Sequence, residues 1–189
     1  MKKYTLIAGV NGTGKSSLRG VLEGQGELLG QIIDLDQIAR AHHFDVFKAG
    51  KQAVAEIDSC LARNVSFTQE TTLSGKRVLH TLRKARQQGY DVSLFYVGLN
   101  SAEESLQRIA NRVRKGGHDI PKADVERRFS GRFDALRQVL PYCDQVTFYD
   151  NENGFVKVAE IRNGRFFLLT EAPPVWLTEL KSELDHAGI

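Results

Sequence analysis

Cysteine is almost missing from this chain: its 189 residues hold two, Cys60 and Cys143. Two widely separated thiols give no disulfide framework and suggest reduced cysteines in a cytoplasmic protein. Long apolar runs are lacking too, since none approaches the roughly 18 residues of a membrane-spanning helix. Met1-Lys2-Lys3 leads directly into Tyr4–Ala8 and then into glycines instead of a cleavage site, so neither a membrane anchor nor a secretory signal is expected. There is no internal repeat, no low-complexity linker and no RNA-binding aromatic motif, and the net charge is only +3. Nucleic acid is therefore not an expected partner. Finally, no strand of four apolar residues ends in an acidic pair, which weighs against a motor ATPase.

What is present is an alternation of apolar runs and helical patterns, the signature of a mostly parallel α/β sheet covered on both faces. The expected strands are Tyr4–Ala8, Gln31–Asp34, Val65–Gln69, Asp91–Val97 and Gln145–Tyr149, about five in all. Helices are expected over 15–23, 37–63, 74–88, 101–115 and 122–139. Ser74 is the candidate cap of the third, and Gly89 is placed to end it in a left-handed conformation. Ser101-Ala102-Glu103-Glu104 has the form of a capping box. Asn163-Gly164 lies between Lys157–Arg162 and Arg165–Leu169 as a two-residue hairpin signal. The expected organisation is one P-loop domain over 1–189, with a helical basic lid at 101–140 and a C-terminal hairpin and short helix at 155–189. Pro173-Pro174-Val175-Trp176 is expected to pack that helix down.

Gly9-Val10-Asn11-Gly12-Thr13-Gly14-Lys15-Ser16 fits the Walker A pattern. Small residues let successive N–H groups curl around a phosphate, and the following helix adds the positive end of its dipole. Gly9, Asn11, Gly12, Thr13, Gly14, Lys15, Ser16 and Ser17 are the expected ATP contacts. Lys15 would reach the β- and γ-phosphates, and the Ser16 hydroxyl would hold Mg²⁺. A plain glycine turn between strand and helix would not require the lysine and hydroxyl that follow. The same loop serves many chemistries, so other residues must identify the acceptor.

Asp34-Leu35-Asp36 follows the second strand, at the edge where open α/β sheets bind ligands. Asp36 is the favoured general base toward an acceptor hydroxyl, and Asp34 is read as structural or as a neighbour of the metal. A helix cap for Gln37 onward is the competing reading. Glu70, Thr71 and Thr72 should reach the same edge as substrate contacts, against ordinary turn and capping chemistry.

The segment 106–137 holds nine Lys or Arg against four Asp or Glu, which leaves the rest of the chain slightly acidic. Arg108 and Arg112 share a helix face at i, i+4, while Arg127 and Arg128 lie beyond Gly116-Gly117. Two helices meeting at a diglycine suggest a lid that brings arginine onto a transferred phosphoryl group, with Arg112 and Arg128 as catalytic candidates and Arg108 and His118 as substrate contacts. A pair of solvated amphipathic helices is the alternative.

In combination, Gly9–Ser16, Asp34-Leu35-Asp36-Gln37-Ile38-Ala39, Glu70-Thr71-Thr72-Leu73-Ser74-Gly75 and Arg112–Pro121 resemble the zeta-toxin family over about Tyr4–Asp150. The resemblance implies a kinase that uses ATP and Mg²⁺ and phosphorylates a sugar hydroxyl of UDP-N-acetylglucosamine, with Asp36 as base and Glu70 and Thr71 near substrate. It also brings in an antitoxin protein as a candidate partner. The competing functions are a kinase of another sugar or nucleotide, and an ATP-binding switch read by a protein partner.

Overall fold

The computed structural model describes residues 1–43 and 45–187, with Val46 described by its backbone alone. Seven strands form one sheet: β1 (Lys3–Ala8), β2 (Gln31–Asp34), β3 (Phe67–Thr71), β4 (Asp91–Val97), β5 (Gln145–Asp150), β6 (Val156–Arg162) and β7 (Arg165–Leu168). Their order is β2-β3-β1-β4-β5-β6-β7, parallel through β5 and antiparallel thereafter. The five-strand expectation is thus extended by two. The hairpin is not a separate appendage, because β6 pairs with the open side of β5 and continues the sheet. Asn163 and Gly164, at φ 51° and 70°, supply the left-handed pair that a tight hairpin requires.

β1 is central, and its alternation sorts the core. Tyr4, Leu6 and Ala8 face the larger apolar cluster, whereas Ile7 faces a second cluster with Leu18 and Leu22 of α1 (Lys15–Gly24). The larger cluster is covered by α3 (Val46–Arg63), α4 (Lys76–Gln87), α7 (Arg132–Val139) and α8 (Val175–Ala187). Among the described residues no helix is long and apolar enough to cross a membrane. Both cysteines are free thiols, Cys60 buried and Cys143 half-buried.

Several expected boundaries move, each for a local reason. The helical region 37–63 is split into α2 (Leu35–Ala41) and α3, because His43 takes a left-handed φ of 51° and the Asp45 carboxylate accepts from Lys48 N at 3.0 Å to start a new helix. Phe44 lies outside the described residues. The expected helix 122–139 is likewise two, α6 (Lys122–Ser130) and α7, with Gly131 closing one and opening the other. Ser74 is not a cap: α4 starts one residue too late for it, Gly75 takes the cap position, and the Ser74 hydroxyl lies 2.8 Å from that of Thr72. Gly89, at φ 73°, does terminate α4 as expected. Ser101 Oγ accepts from Glu104 N at 3.1 Å at the start of α5 (Ala102–Arg114), but the Glu104 carboxylate turns to Arg108 Nη2 at 2.5 Å instead of completing the capping box. β3 runs to Thr71 instead of Gln69, so Glu70 is still within the sheet, in register with Ile7 on one side and Asp34 on the other.

The C-terminal helix is fixed at the edge formed by the C-terminal ends of the parallel strands. Trp176 is fully buried, donates Nε1–H to Asp150 Oδ1 at 2.9 Å, and donates its backbone N–H to Asn100 Oδ1 at 3.2 Å. Its indole lies flat against Gly98, where an added Cβ would fall 2.1 Å from Cδ2. No side chain fits there unless the whole helix moves. Gly98→Ala should therefore cost about 1–3 kcal/mol through overpacking, read as a lower urea midpoint with unchanged m-value.

Candidate functional site

The glycine loop spans the gap between the C-terminal end of β1 and α1, with β3 and β4 on either side. It is thus centred on the sheet edge that open α/β folds use for ligands. Lys15 is drawn inward: Nζ donates to Gly9 O and Val10 O, each at 3.0 Å. Burial pushes its ammonium down from 10.5 to about 8, against the upward pull of Glu70 and Asp36. Thr13 Oγ1 donates to Val10 O at 3.1 Å, and the Asn11 side chain accepts from Arg128 Nη1 at 2.9 Å. The loop is thus tied both to itself and to α6.

Ser16 Oγ donates to Glu70 Oε2 at 2.7 Å, and the other oxygen of Glu70 accepts from Arg19 Nη1 at 2.7 Å. Arg19 also reaches Asp34 Oδ2 at 3.3 Å. Burial first, and the neighbouring Asp34 second, push the Glu70 carboxyl upward, opposed by Ser16, Arg19 and Lys15. Asp34 itself caps α2, accepting from Asp36 N at 3.0 Å and Gln37 N at 3.2 Å. Asp36, by contrast, is exposed, with Oδ2 at 3.5 Å from Arg112 Nη1.

Two clefts open on this edge. One, of about 490 Å³, is lined by the glycine loop together with Arg19, Arg40, Arg108 and Arg112. The other, of about 340 Å³, lies between β2, β3, α3 and α4 and includes Ile33, Val54, Ile57, Thr71 and Thr72. Asn11, Lys15, Asp34, Asp36 and Glu70 line both. A third, basic space of about 280 Å³ adjoins the second at Thr72, Ser74, Gly75 and Arg128, and adds Lys76 and Arg127.

Of the arginines on α5 and α6, Arg112 bonds through its terminal nitrogens, while its Nε is buried without a hydrogen-bond partner. Its Nη2 donates to His118 O at 2.8 Å, and Gly117 lies so close that a Cβ there would stand 2.6 Å from Arg112 Cγ. The diglycine therefore makes room for this arginine, besides ending α5. Arg108 is divided between Glu104 and Asn151 O, the latter at 2.8 Å. Thr71 Oγ1 accepts from Leu73 N at 3.0 Å, and Thr72 pairs with Ser74. His118 is exposed and meets Arg112 through its carbonyl, outside the lining of these three spaces. Ser17 lines the first cleft.

Two contributors escaped the sequence reading. Arg19 is one turn into α1 and bridges both carboxylates, which helix periodicity after Lys15 could have indicated. Asn151, which ends the family-like segment Val146–Asn151, donates Nδ2–H to Thr13 O at 2.9 Å and so fastens the β5–β6 loop to the glycine loop, a contact that the segment's sequence does not specify.

Fold and loop together define a P-loop NTPase-type α/β protein. The chain matches the Zeta toxin family model over residues 1–160 and belongs to the zeta-toxin family. It is 32% identical over 132 residues to an uncharacterized protein of Haemophilus influenzae, covering 67% of this chain and 92% of that one. In fold it is similar to a chain of the AvrRxo1-ORF1:-ORF2 complex crystallised with ATP, at TM-score 0.70 and 15% identity over 97% of this chain; it spans 63% of that chain. The PezAT toxin–antitoxin system of Streptococcus pneumoniae gives TM-score 0.62 at 17% identity, covering 98% of this chain and 87% of that one.

The half-buried Lys15 makes anion binding pH-dependent. A bound polyphosphate favours the ammonium and raises its pKa, so above pH 8 binding takes up a proton and weakens, by at most about tenfold per pH unit. With ATP as the probe, titration calorimetry in buffers of different ionisation enthalpy should show proton uptake near 0 at pH 7 and clearly positive at pH 9.

Proposed function

We propose that the protein is an ATP-dependent kinase that transfers the γ-phosphoryl group to a hydroxyl of an anionic small metabolite, with UDP-N-acetylglucosamine as the first acceptor to test. The observation that carries this reading is the junction of two clefts at Asn11, Lys15, Asp34, Asp36 and Glu70. A donor in the glycine-loop cleft and an acceptor between β3, α3 and α4 would meet beside Asp36. The acceptor side combines aliphatic walls with threonine hydroxyls and continues into the basic space of Lys76, Arg127 and Arg128. A sugar held against the first and a diphosphate against the second fit those chemistries.

In this reading Asp36 accepts the acceptor hydroxyl's proton as the new O–P bond forms and the bond to the β-phosphate breaks, releasing ADP. Lys15 leaves the carbonyls of Gly9 and Val10 for the β- and γ-phosphates. Arg112, already facing Asp36, and Arg128, already at Asn11, lie where they can neutralise the transferred group. Gly9, Gly12, Thr13 and Gly14 cradle the donor phosphates, and Ser17 and Arg108 border that cleft. Thr71, Thr72 and Glu70 border the acceptor, whereas the His118 side chain has the weakest support as a substrate contact.

Mg²⁺ fits this donor set: a hydroxyl and a carboxylate 2.7 Å apart, Ser16 and Glu70, are the one or two protein groups that the ion uses alongside phosphate oxygens. Among the described residues no three His, Cys, Asp or Glu side chains form an all-protein cage, which suits an ion that arrives with its nucleotide. Bound there, it would screen the charge on the donor phosphates. The PezAT system includes an antitoxin, which supports a protein antitoxin as a partner, and the dependence on ATP suits a cytoplasmic site of action.

The test is transfer from γ-labelled ATP with Mg²⁺ to UDP-N-acetylglucosamine and a panel of other sugars and nucleotides, with Lys15→Ala as the control. Labelled UDP-N-acetylglucosamine that vanishes in the control is expected; ATP binding without any labelled acceptor would favour the switch. Asp36→Asn should lower kcat by about 10²–10⁴ while ATP affinity holds within about twofold. Arg112→Ala should likewise reduce kcat more than ATP affinity, and an equal kcat in the variant would reduce Arg112 to scaffolding for the loop at His118.

A further inference from the structure

The two outer strands of the sheet are treated differently. β2 is packed against by α2 and α3, and its Ile33 and Asp34 are buried. β7 is open: Phe167 and Leu168 at its end and Leu169 just past it are 44%, 47% and 47% exposed, three consecutive apolar side chains along the sheet edge. Natural edges are usually blunted by central charge, proline or a bulge. Here the charges stand only at the two ends, Arg165 before the apolar run and Glu171 after it.

The hydrogen bonding of the hairpin fixes which groups point outward. Leu169 N donates to Val158 O at 2.9 Å, and the two-residue turn makes Arg162 and Arg165 the closing pair. The backbone groups of Arg165, Phe167 and Leu169 therefore face β6, and by the period of two those of Phe166, Leu168 and Thr170 face away from the sheet.

We propose that β7 is a self-association edge, on which a second copy of this chain pairs antiparallel about a two-fold axis at Leu168. In that register Leu168 meets its own symmetry mate and Phe166 meets Thr170, so all the outward groups find partners. On the face between those bonds Phe167 comes opposite Leu169 of the second copy, and, where pairing extends β7 past Leu168 and straightens the bend at Glu171, Arg165 comes opposite its Glu171. Centring the axis one residue earlier also lets outward backbone groups meet, but it sets Phe167 against itself and Arg165 against Leu169. The terminal charges thus select one register, and each ion pair occurs twice. A short strand buries less than the roughly 800 Å² per partner of a standard interface, so the dimer is weak and concentration-dependent.

Sedimentation velocity from about 5 to 500 µM is the test, since a two-fold dimer must follow mass action. The expected result is a monomer–dimer equilibrium that Arg165→Glu or Glu171→Arg alone weakens by about tenfold, and that the two reversals together restore. Leu168→Pro, which removes an outward N–H, should leave only monomer. Each variant is first checked for wild-type melting and ATP binding; if either single variant fails to fold, the folded double reversal still has to dimerise like wild type. A monomer throughout the range, as expected for an edge reserved for an unlike strand, would overturn the proposal. So would a dimer indifferent to the single reversals, or a double reversal that does not restore association.

Discussion

A phosphate-binding loop gathers positive charge at one end of a sheet, and that charge must be held in the folded chain at tolerable cost. In this protein the ammonium of Lys15 is satisfied by the carbonyls of its own loop, and burial still pulls its pKa down to about 8. Around it the carboxylates of Asp34 and Glu70 are bridged by Arg19, and Asp36 faces Arg112. Opposite charges alternate across the whole edge. Removing one partner from the buried part of this array would leave another uncompensated, which costs more than the pair itself contributes.

The array depends on parts of the fold that carry none of its charge. Asn151 ties the loop after β5 to Thr13, and Arg108 reaches the carbonyl of the same Asn151 from α5. One residue earlier, Asp150 accepts from Trp176, which binds α8 to the end of β5 and lies against Gly98 at the end of β4. The C-terminal helix thus supports the glycine loop through a short relay of contacts. Shape and hydrogen bonding at Gly98, Asp150 and Asn151 set the backbone on which Lys15 and Ser16 depend.

Much of this was legible in the sequence, because the glycine loop, the order of strands, the Asn163-Gly164 turn and the acidic residues after β2 are all local patterns. Glu70 was legible as a residue at the edge but not in its partnership with Ser16. Its strand, Phe67-Thr68-Gln69-Glu70-Thr71, is polar after its first residue and lacks the run of four apolar residues that signals a metal-side carboxylate. The pairing becomes visible only when β3 lies beside β1. Helix breaks at His43 and Gly131 were missed for a different reason: apolar periodicity continues across both, and only backbone geometry shows that the helix does not. The hairpin was recognised but not its place, since nothing within β6 says that β5 has a free side.

Local and tertiary constraints meet between α5 and α6. Gly116-Gly117 looks in sequence like a hinge, and a hinge alone would require only conformational freedom. The structure adds a steric demand at Gly117, whose missing side chain is the space that Arg112 occupies on its way to Asp36 and the His118 carbonyl. Freedom of motion and close packing usually oppose each other. Here they are divided between two adjacent glycines: Gly116 takes the left-handed turn at φ 84°, and Gly117 lets the arginine pack. Arg128 reaches Asn11 from α6, so α5 and α6 each send an arginine to residues shared by the two clefts. Both arginines are therefore held at this junction by contacts already made in the folded chain.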